Sequence, residues 1–339
     1  MTRVLNVAYQ SDDYYAPITG VSLTSLIANN MDIDEINVFL LADQVSSENI
    51  NKLRTLCETR PGVSFEVVDT QPFLRRLRDE LHVFPHRGTF TPYFKLMAVN
   101  QLNLPTGRVL FVDGDTIINQ SLAAICDLDL EGCILGAVLD CVMNDYKSLI
   151  GMPPSDEYFN SGVLLVDQAK WRENQCEAAI VSHLENVRSG YFTVDQDILN
   201  LLFRDKTKVL DVTYNVNSGF YIYGIRESFK IYDLRPPYYY SIDQVNDACA
   251  NPVLNHCMGA MTGRPWEQDN IHPQNALFDH YLRMSLWSDF VKVKVKRSAI
   301  FRAQRLLYRT LPRPIYANIH KIVLRRYLVN MNKLAQAGR

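Results

Sequence analysis

Four short apolar runs constrain the fold more than any other feature of the chain: "VLNVAYQ" (4–10), "INVFLLAD" (36–43), "VSFEVVD" (63–69) and "RVLFVD" (108–113). Each reads as a buried strand, because apolar residues dominate it and turn or polar residues bound it. Between them lie stretches with helical character: "GVSLTSLIANN" (20–30), "SSENINKLRTLCET" (46–59) with Ser46 placed as a cap, and "YFKLMAVNQL" (93–102). Strands alternating with helices predict an α/β fold whose sheet is largely parallel and covered on both faces. The pattern continues with strands at "CILGAVLD" (133–140) and "YFNSGVLLVD" (158–167), helices over 168–187 and 193–203, and a late strand in "PVLNHCMG" (252–259). The Tyr- and Pro-rich "IYDLRPPYYYSIDQ" between them predicts irregular chain.

A chain of 339 residues is long for one core, so one large domain with an appendage, or two domains, is expected. No run of 18 apolar residues suggests a membrane span, and "RVLNVAYQ" follows the first residues with no signal-peptide pattern. Seven cysteines without CxxC spacing read as reduced thiols of a cytoplasmic protein. The net charge of −2 hides an asymmetry. No acid follows Asp289, while 13 of the 35 Lys and Arg do, which leaves a strongly acidic body and a strongly basic tail. Beyond Trp287 the pattern becomes short basic amphipathic helices, broken near "LPRPIY" (311–316).

In open α/β sheets ligands gather outside the carboxyl ends of the strands. Here those ends read "YQSDDYY" and "VDGD". Asp113 and Asp115, at i and i+2 with Gly114 between them, can reach one divalent cation of the Mg²⁺ or Mn²⁺ type; a solvated turn is the plainer reading. His256 after the late strand is either a satisfied structural histidine or a third ligand, which would favour Mn²⁺. Gly259, Gly263 and Arg264 follow it and suit a phosphate cradle. Asp195 and Gln196 open a predicted helix, where acids also serve as caps. Asn160, an amide in an apolar run, must be paired and either ties loops together or binds a hydroxylated ligand.

Together these pieces resemble glycosyltransferase family 8, the retaining transferases that include bacterial lipopolysaccharide glucosyl- and galactosyltransferases and, more distantly, glycogenin. The resemblance runs from about residue 4 to 266 through five ordered segments: "NVAYQSDDYYAPITGVSLTSLIAN", "TPYFKLMA", "LFVDGDTIIN", "YFNSGVLLVD" with "DQDILN", and "HCMGAMTGRPW". It implies a GT-A-type nucleotide-sugar-binding fold with a mixed, mostly parallel sheet over 1–270 and a basic helical region over 271–339. It also implies a UDP-hexose donor and Mn²⁺, with Mg²⁺ possible, on Asp113, Asp115 and His256. By position, Ala8 and Asp12 would meet the nucleotide, Asp12 reading the uracil edge, and Tyr15 would stack on the ring. Lys95 would lie near the donor, Gly114 beside the metal aspartates, and Gly259 and Arg264 against the pyrophosphate. Asp140, Asn160, Asp195 and Gln196 would surround the sugar, with Asp140, Asp195 and Gln196 closest to the chemistry. Arginine stands where the family usually has lysine, about two extra residues separate it from His256, and Tyr14 replaces a commoner asparagine.

The expected function is therefore transfer of glucose or galactose, with retention, to lipopolysaccharide or another cell-surface glycan or glycolipid. A non-catalytic sugar-nucleotide-binding protein on the same fold is the alternative, and a nucleotidyltransferase is a third, disfavoured by the absence of an early Gly-rich phosphate loop. The tail interleaves Lys and Arg with Ile, Phe, Leu and Tyr over 292–326, which suits an anionic inner leaflet and a peripheral location on the plasma membrane. Packing of a solvated helical face on the acidic body is the plainer reading. No recognition motif supports nucleic acid as a partner. On the membrane reading, deleting 288–339 should leave donor chemistry intact.

Overall fold

The computed structural model describes residues 2–86, 88–187 and 191–336; the last three residues of the 271–339 region therefore lie outside the described residues. Ten strands form two sheets: β1 (Val4–Asp12), β2 (Glu35–Asp43), β3 (Val63–Val68), β4 (Arg108–Val112), β5 (Thr116–Ile118), β6 (Leu135–Leu139), β7 (Phe159–Asp167), β8 (Thr207–Val209), β9 (Val216–Asn217) and β10 (Leu254–His256). The large sheet has the order β3-β2-β1-β4-β7-β6-β8. Only β7 runs against its neighbours β4 and β6; every other pairing in this sheet is parallel. The small sheet, β5-β10-β9, sits beside it.

Period-two alternation explains why both faces of the large sheet need cover. Val7, Val38, Leu40, Leu110 and Val112 enter one apolar core with the helix Ala16–Asn29. Ala8, Phe39, Leu41, Val109 and Phe111 enter the other, with Phe94, Trp171 and the helix Asp195–Phe203. The first core extends past residue 270. Phe278, Tyr281 and Leu282 of the helix Asn275–Met284 join it, and Trp287 lies flat on Gly20, where an added Cβ would come within 2.2 Å of the indole.

Several element boundaries depart from the sequence reading. The helix expected over 168–187 is two helices, Gln168–Glu173 and Cys176–Asn186, parted where Gln175 adopts a left-handed backbone at φ +50°. That over 93–102 is a 3-10 turn, Thr91–Tyr93, followed by the short helix Phe94–Ala98. The tail breaks near residue 311 as expected, but the second of its helices is long rather than short: Ala299–Thr310 is followed by the 24-residue Arg313–Gln336. Pro314 lies in the first turn of that helix, where its missing N–H costs nothing. Within the described residues no helix is long and apolar enough to cross a membrane.

The tail helices lie against the body. Tyr308, Tyr316 and His320 pack onto Ile222, Tyr223 and Ile231. Ion pairs from Lys321 to Asp233 and from Arg325 to Asp145 cross the same junction.

Candidate active site

The carboxyl ends of β1 and β4 open into a cavity of ≈ 480 Å³. Gln10, Ser11 and Asp12 line it from β1, Asp113 to Asp115 from the turn after β4, and Lys95, Asp195 and Arg264 from elsewhere in the chain. The turn is tight. A Cβ on Gly114 would lie 2.4 Å from Thr19 Oγ1, so only glycine lets the two aspartates sit against the first helix.

His256 reaches these aspartates from far along the chain by strand pairing. β10 is antiparallel to β5 with His256 opposite Thr116, the residue after Asp115, and Cys257 N donates to Asp115 O at 2.8 Å. Nε2 of His256 then lies 3.1 Å from Asp115 Oδ1 and 4.0 Å from Asp113 Oδ2. One ligand atom from each of the three residues lies within 4.8 Å of the others. Gly162 makes room for the ring: a Cβ there would meet His256 Cε1 at 2.4 Å and Asp113 Oδ2 at 2.9 Å. Two carboxylates and an imidazole in this arrangement suit a divalent cation.

Behind the triad runs a chain of buried amides. His256 Nδ1 meets Asn215 Oδ1 at 3.1 Å, and Asn215 Nδ2 donates to Asn160 Oδ1 at 2.8 Å. Asn160 Nδ2 donates to Gln196 Oε1 at 3.1 Å, and Gln196 Nε2 to Asp140 Oδ2 at 2.9 Å. The Nδ1 contact fixes the ring so that Nε2 faces the carboxylates, the arrangement of histidine ligands in metal sites. Of the two readings of Asn160, the structure shows the tie: its side chain joins the Asn215 and Gln196 segments behind the triad.

Lys95 forms the second charged junction. Its buried ammonium donates to Ser161 O at 2.8 Å and Asp113 Oδ1 at 3.2 Å. It also forms a buried ion pair with Asp195, whose Oδ2 lies 3.1 Å away. Burial alone would depress the Lys95 ammonium, but Asp113 and Asp195 outweigh it and hold its pKa above the ordinary value. Burial pushes the Asp195 carboxyl up, opposed by Lys95. At Asp115 burial also acts upward, and His256 and Arg264 overcome it, so the carboxyl stays below the usual range. Asp115 therefore remains a carboxylate at neutral pH, the form a cation needs.

The capping reading of Asp195 and Gln196 does not describe their side chains, which are buried and engaged as above. The N-cap position is Val194, a β-branched residue at φ +49°, and no side chain caps the helix. Asp197 anchors this turn instead, accepting from Thr193 N at 3.0 Å and from the hydroxyls of Tyr146 and Tyr158 at 2.5 and 2.7 Å.

Other expected residues fall as follows. Asp12 lines the cavity, and its Oδ1 accepts from Tyr15 N at 2.8 Å. Tyr15 turns its ring edge to Trp266, and its hydroxyl accepts from Arg264 Nη1 at 2.7 Å; the neighbouring Tyr14 is the exposed ring at the cavity. Arg264 also donates to Asp115 Oδ2 at 2.5 Å and stacks over Trp266. Gly259 lies under the Arg264 side chain, since a Cβ there would meet Cγ at 2.7 Å. Ala8 stands apart: it is fully buried in the sheet, and β1 presents Gln10, Ser11 and Asp12 to the cavity instead. Asp140 lines a small adjoining cleft with Lys147, Asp233 and Arg235. Sequence reasoning missed Asn215, Gly162 and Gln10. For Asn215 the signal was present, a polar amide beside apolar residues in "VTYNV", as at Asn160.

Comparison with known proteins places the chain in one family and fold. The family model for "Glycosyl transferase family 8" matches residues 6–270. A lipopolysaccharide 1,2-glucosyltransferase of Escherichia coli K12 is 27% identical, over 85% of this chain and 80% of its own length. A lipopolysaccharide 1,3-galactosyltransferase of Salmonella typhimurium is 23% identical, over 84% and 79%. Among solved structures, the galactosyltransferase LgtC in complex with donor and acceptor sugar analogs superposes with a TM-score of 0.66 at 22% identity, covering 88% of this chain and 99% of LgtC. The bifunctional glycosyltransferase WbbM gives 0.69 at 21% identity over 85% of this chain, which spans about half (51%) of WbbM. The mixed sheet and its order are therefore a GT-A-type fold with C-terminal helices added.

Proposed function

The chain belongs to glycosyl transferase family 8, and we propose that it is a retaining, Mn²⁺-dependent hexosyltransferase that takes glucose or galactose from a UDP-sugar and adds it to lipopolysaccharide or another cell-surface glycan. The observation that carries this reading is the meeting of Asp113, Asp115 and His256 within 4.8 Å at the lip of a cavity that Arg264, Lys95 and Asp195 also line. A bound Mn²⁺ on those three residues would neutralise charge developing on the diphosphate leaving group.

The protein's own groups supply the rest. Arg264, at the cavity and fixed by Tyr15, adds a second positive charge for the diphosphate. Asp195, which lines the cavity, and Asp140 orient sugar hydroxyls. Gln196 is a poor nucleophile in this setting. Its Oε1 already accepts from Asn160 Nδ2 and from Ser161 N at 3.0 Å, and its Nε2 donates to Asp140 and to Tyr158. The acceptor hydroxyl accordingly attacks the anomeric carbon on the face UDP leaves. The glycosidic C–O bond forms as the C–O bond to phosphate breaks, and the hydroxyl proton passes to the departing phosphate oxygen. Trapping a glycosyl adduct on Asp195 or Asp140 would overturn this step.

The region 271–339 is proposed to hold the enzyme on an anionic membrane, at the inner face of the plasma membrane, where a glycolipid acceptor would be presented. Support comes from Ile315, Ile319 and Ile322, which share one exposed face of the last helix, with Arg326 and, on the preceding helix, Ile300 and Arg302 also exposed. The division at about residue 270 is a functional one, since the packing of Phe278 and Trp287 is continuous with the body.

The deciding experiment incubates the protein with Mn²⁺ and a panel of UDP- and other NDP-sugars and scores nucleotide release. Release from UDP-glucose or UDP-galactose alone supports the reading. Binding without release would make the chain a non-catalytic sugar-nucleotide binder.

A further inference from the structure

We propose that Arg297 and Arg305, in the C-terminal region, are positioning residues for the donor diphosphate, because they brace the loop that carries Arg264. The inference rests on the UDP-sugar reading and adds to it a dependence of the donor site on the tail.

The loop from Cys257 to Arg264 leaves β10 directly after His256 and must aim a long guanidinium from an irregular backbone. Three contacts fix it from the tail side. Arg305 Nε donates to Met261 O at 2.8 Å. Glu267 Oε2 accepts from Arg264 N at 2.8 Å, which sets the backbone of the arginine itself. Arg297 Nη2 donates in turn to that same Oε2. Asp269 closes the cluster, taking Arg297 Nη2 at 3.2 Å and Arg305 Nη1 at 2.9 Å.

The packing is close enough to transmit position. Gly263 sits at φ +76°, and a Cβ there would lie 2.6 Å from Glu267 Oε2, 2.8 Å from Arg297 Nη2 and 3.1 Å from Arg305 Nη2. Both guanidiniums lie over the Phe301 ring, at 4.4 and 4.8 Å from its centroid. Ser298 caps the helix that presents Phe301 and Arg305.

Electrostatics gives the brace a second effect. Glu267 is buried and near enough to Arg264 to interact with its charge. A buried carboxylate must be compensated. With Arg297 in place the compensation comes from the tail, and Arg264 remains available to an incoming diphosphate. Without Arg297, Glu267 would pull more strongly on the Arg264 guanidinium and compete with an incoming diphosphate for it.

The test uses the full chain with Arg297→Ala, Arg305→Ala, Arg305→Lys and, as control, Arg309→Ala, an exposed arginine on the helix of Arg305. The first two should raise the donor KM about tenfold with kcat at saturating donor nearly unchanged, since they weaken binding shared by ground and transition states. Arg305→Lys should recover part of the loss, because an ammonium keeps the charge without the forked geometry. Amide hydrogen exchange should quicken over 257–264 in the alanine variants while β1 and β4 stay protected. A donor KM within about twofold of wild type together with unchanged loop exchange would overturn the brace. So would exchange that quickens throughout the chain, which marks a general structural role. If the wild-type protein releases UDP from no sugar, the functional reading falls, and loop exchange still decides whether the tail holds the loop.

Discussion

Charge is handled in opposite ways at the two ends of this molecule. At the cavity, Lys95, Asp113, Asp115, Asp195 and His256 face one another, and the groups behind them are spent on holding them still. In the C-terminal region, Arg297, Arg305, Lys321 and Arg325 reach across to acids of the body, while Ile300, Ile315 and Ile322 stay exposed. The first arrangement concentrates unlike charges where a small ion and an anionic ligand can enter. The second uses charge as a fastener and leaves apolar surface outside. Of the two readings of the tail sequence, packing on the acidic body is the one present, and another face of the tail stays open.

The comparison is broken most severely by removing the cavity's carboxylates. Asp115→Ala should lower UDP release about a thousandfold, since the ion and Arg264 both lose a partner. Retained Mn²⁺-dependent turnover would detach the chemistry from this triad. His256→Ala should cost about a hundredfold, and Asn215→Ala about tenfold, read as a rightward shift in Mn²⁺ titration, because Asn215 only orients the ring.

Deleting 288–339 sharpens the contrast between the ends. The sequence reading made this region dispensable for donor chemistry, but Arg297 and Arg305 lie within it. The truncated protein should lose vesicle binding and also show about a tenfold higher donor KM. Ile319→Asp with Ile322→Asp should separate the two roles, reducing partition onto anionic vesicles about tenfold with UDP release unaltered. Equal binding by this variant would reject the membrane face.

The smallest effect is on stability against pH. Burial pushes the His320 imidazole, set between Tyr223 and Tyr316, down to about 4. Between about pH 6.5 and 4 the unfolded chain binds a proton there and the folded one does not, so stability falls as the pH is lowered through that window. His320→Asn should flatten the fall of unfolding free energy over that window by an amount on the order of 1–3 kcal/mol, read from denaturant unfolding at its two ends. His272, also held down at about 4 by burial, keeps some slope in place.

The alternation of β1 to β4 with helices was legible because buried parallel strands and helices leave periods that survive in a single sequence. The two-helix break at Gln175 was not, since it carries no glycine or proline and is set by packing around it. Asp113, Asp115 and His256 were visible as residue types at strand ends, yet their meeting depends on the register of β10 on β5, which no spacing reveals. Asn215 escaped notice although its chemistry was the same as that of Asn160. Arg297 and Arg305 looked like two of 13 equivalent basic residues, and only the positions of Glu267, Asp269 and the Met261 carbonyl distinguish them.

The pairing of β10 with β5 also has a consequence for synthesis of the protein. A nascent chain that has passed Asp115 carries two carboxylates and no imidazole until residue 256 has emerged and docked beside Thr116. The fastener on the Arg264 loop arrives later still, at residues 297 and 305. The complete triad is thus deferred until three quarters of the chain has been made, and the brace on its neighbouring loop until nearly the end of translation.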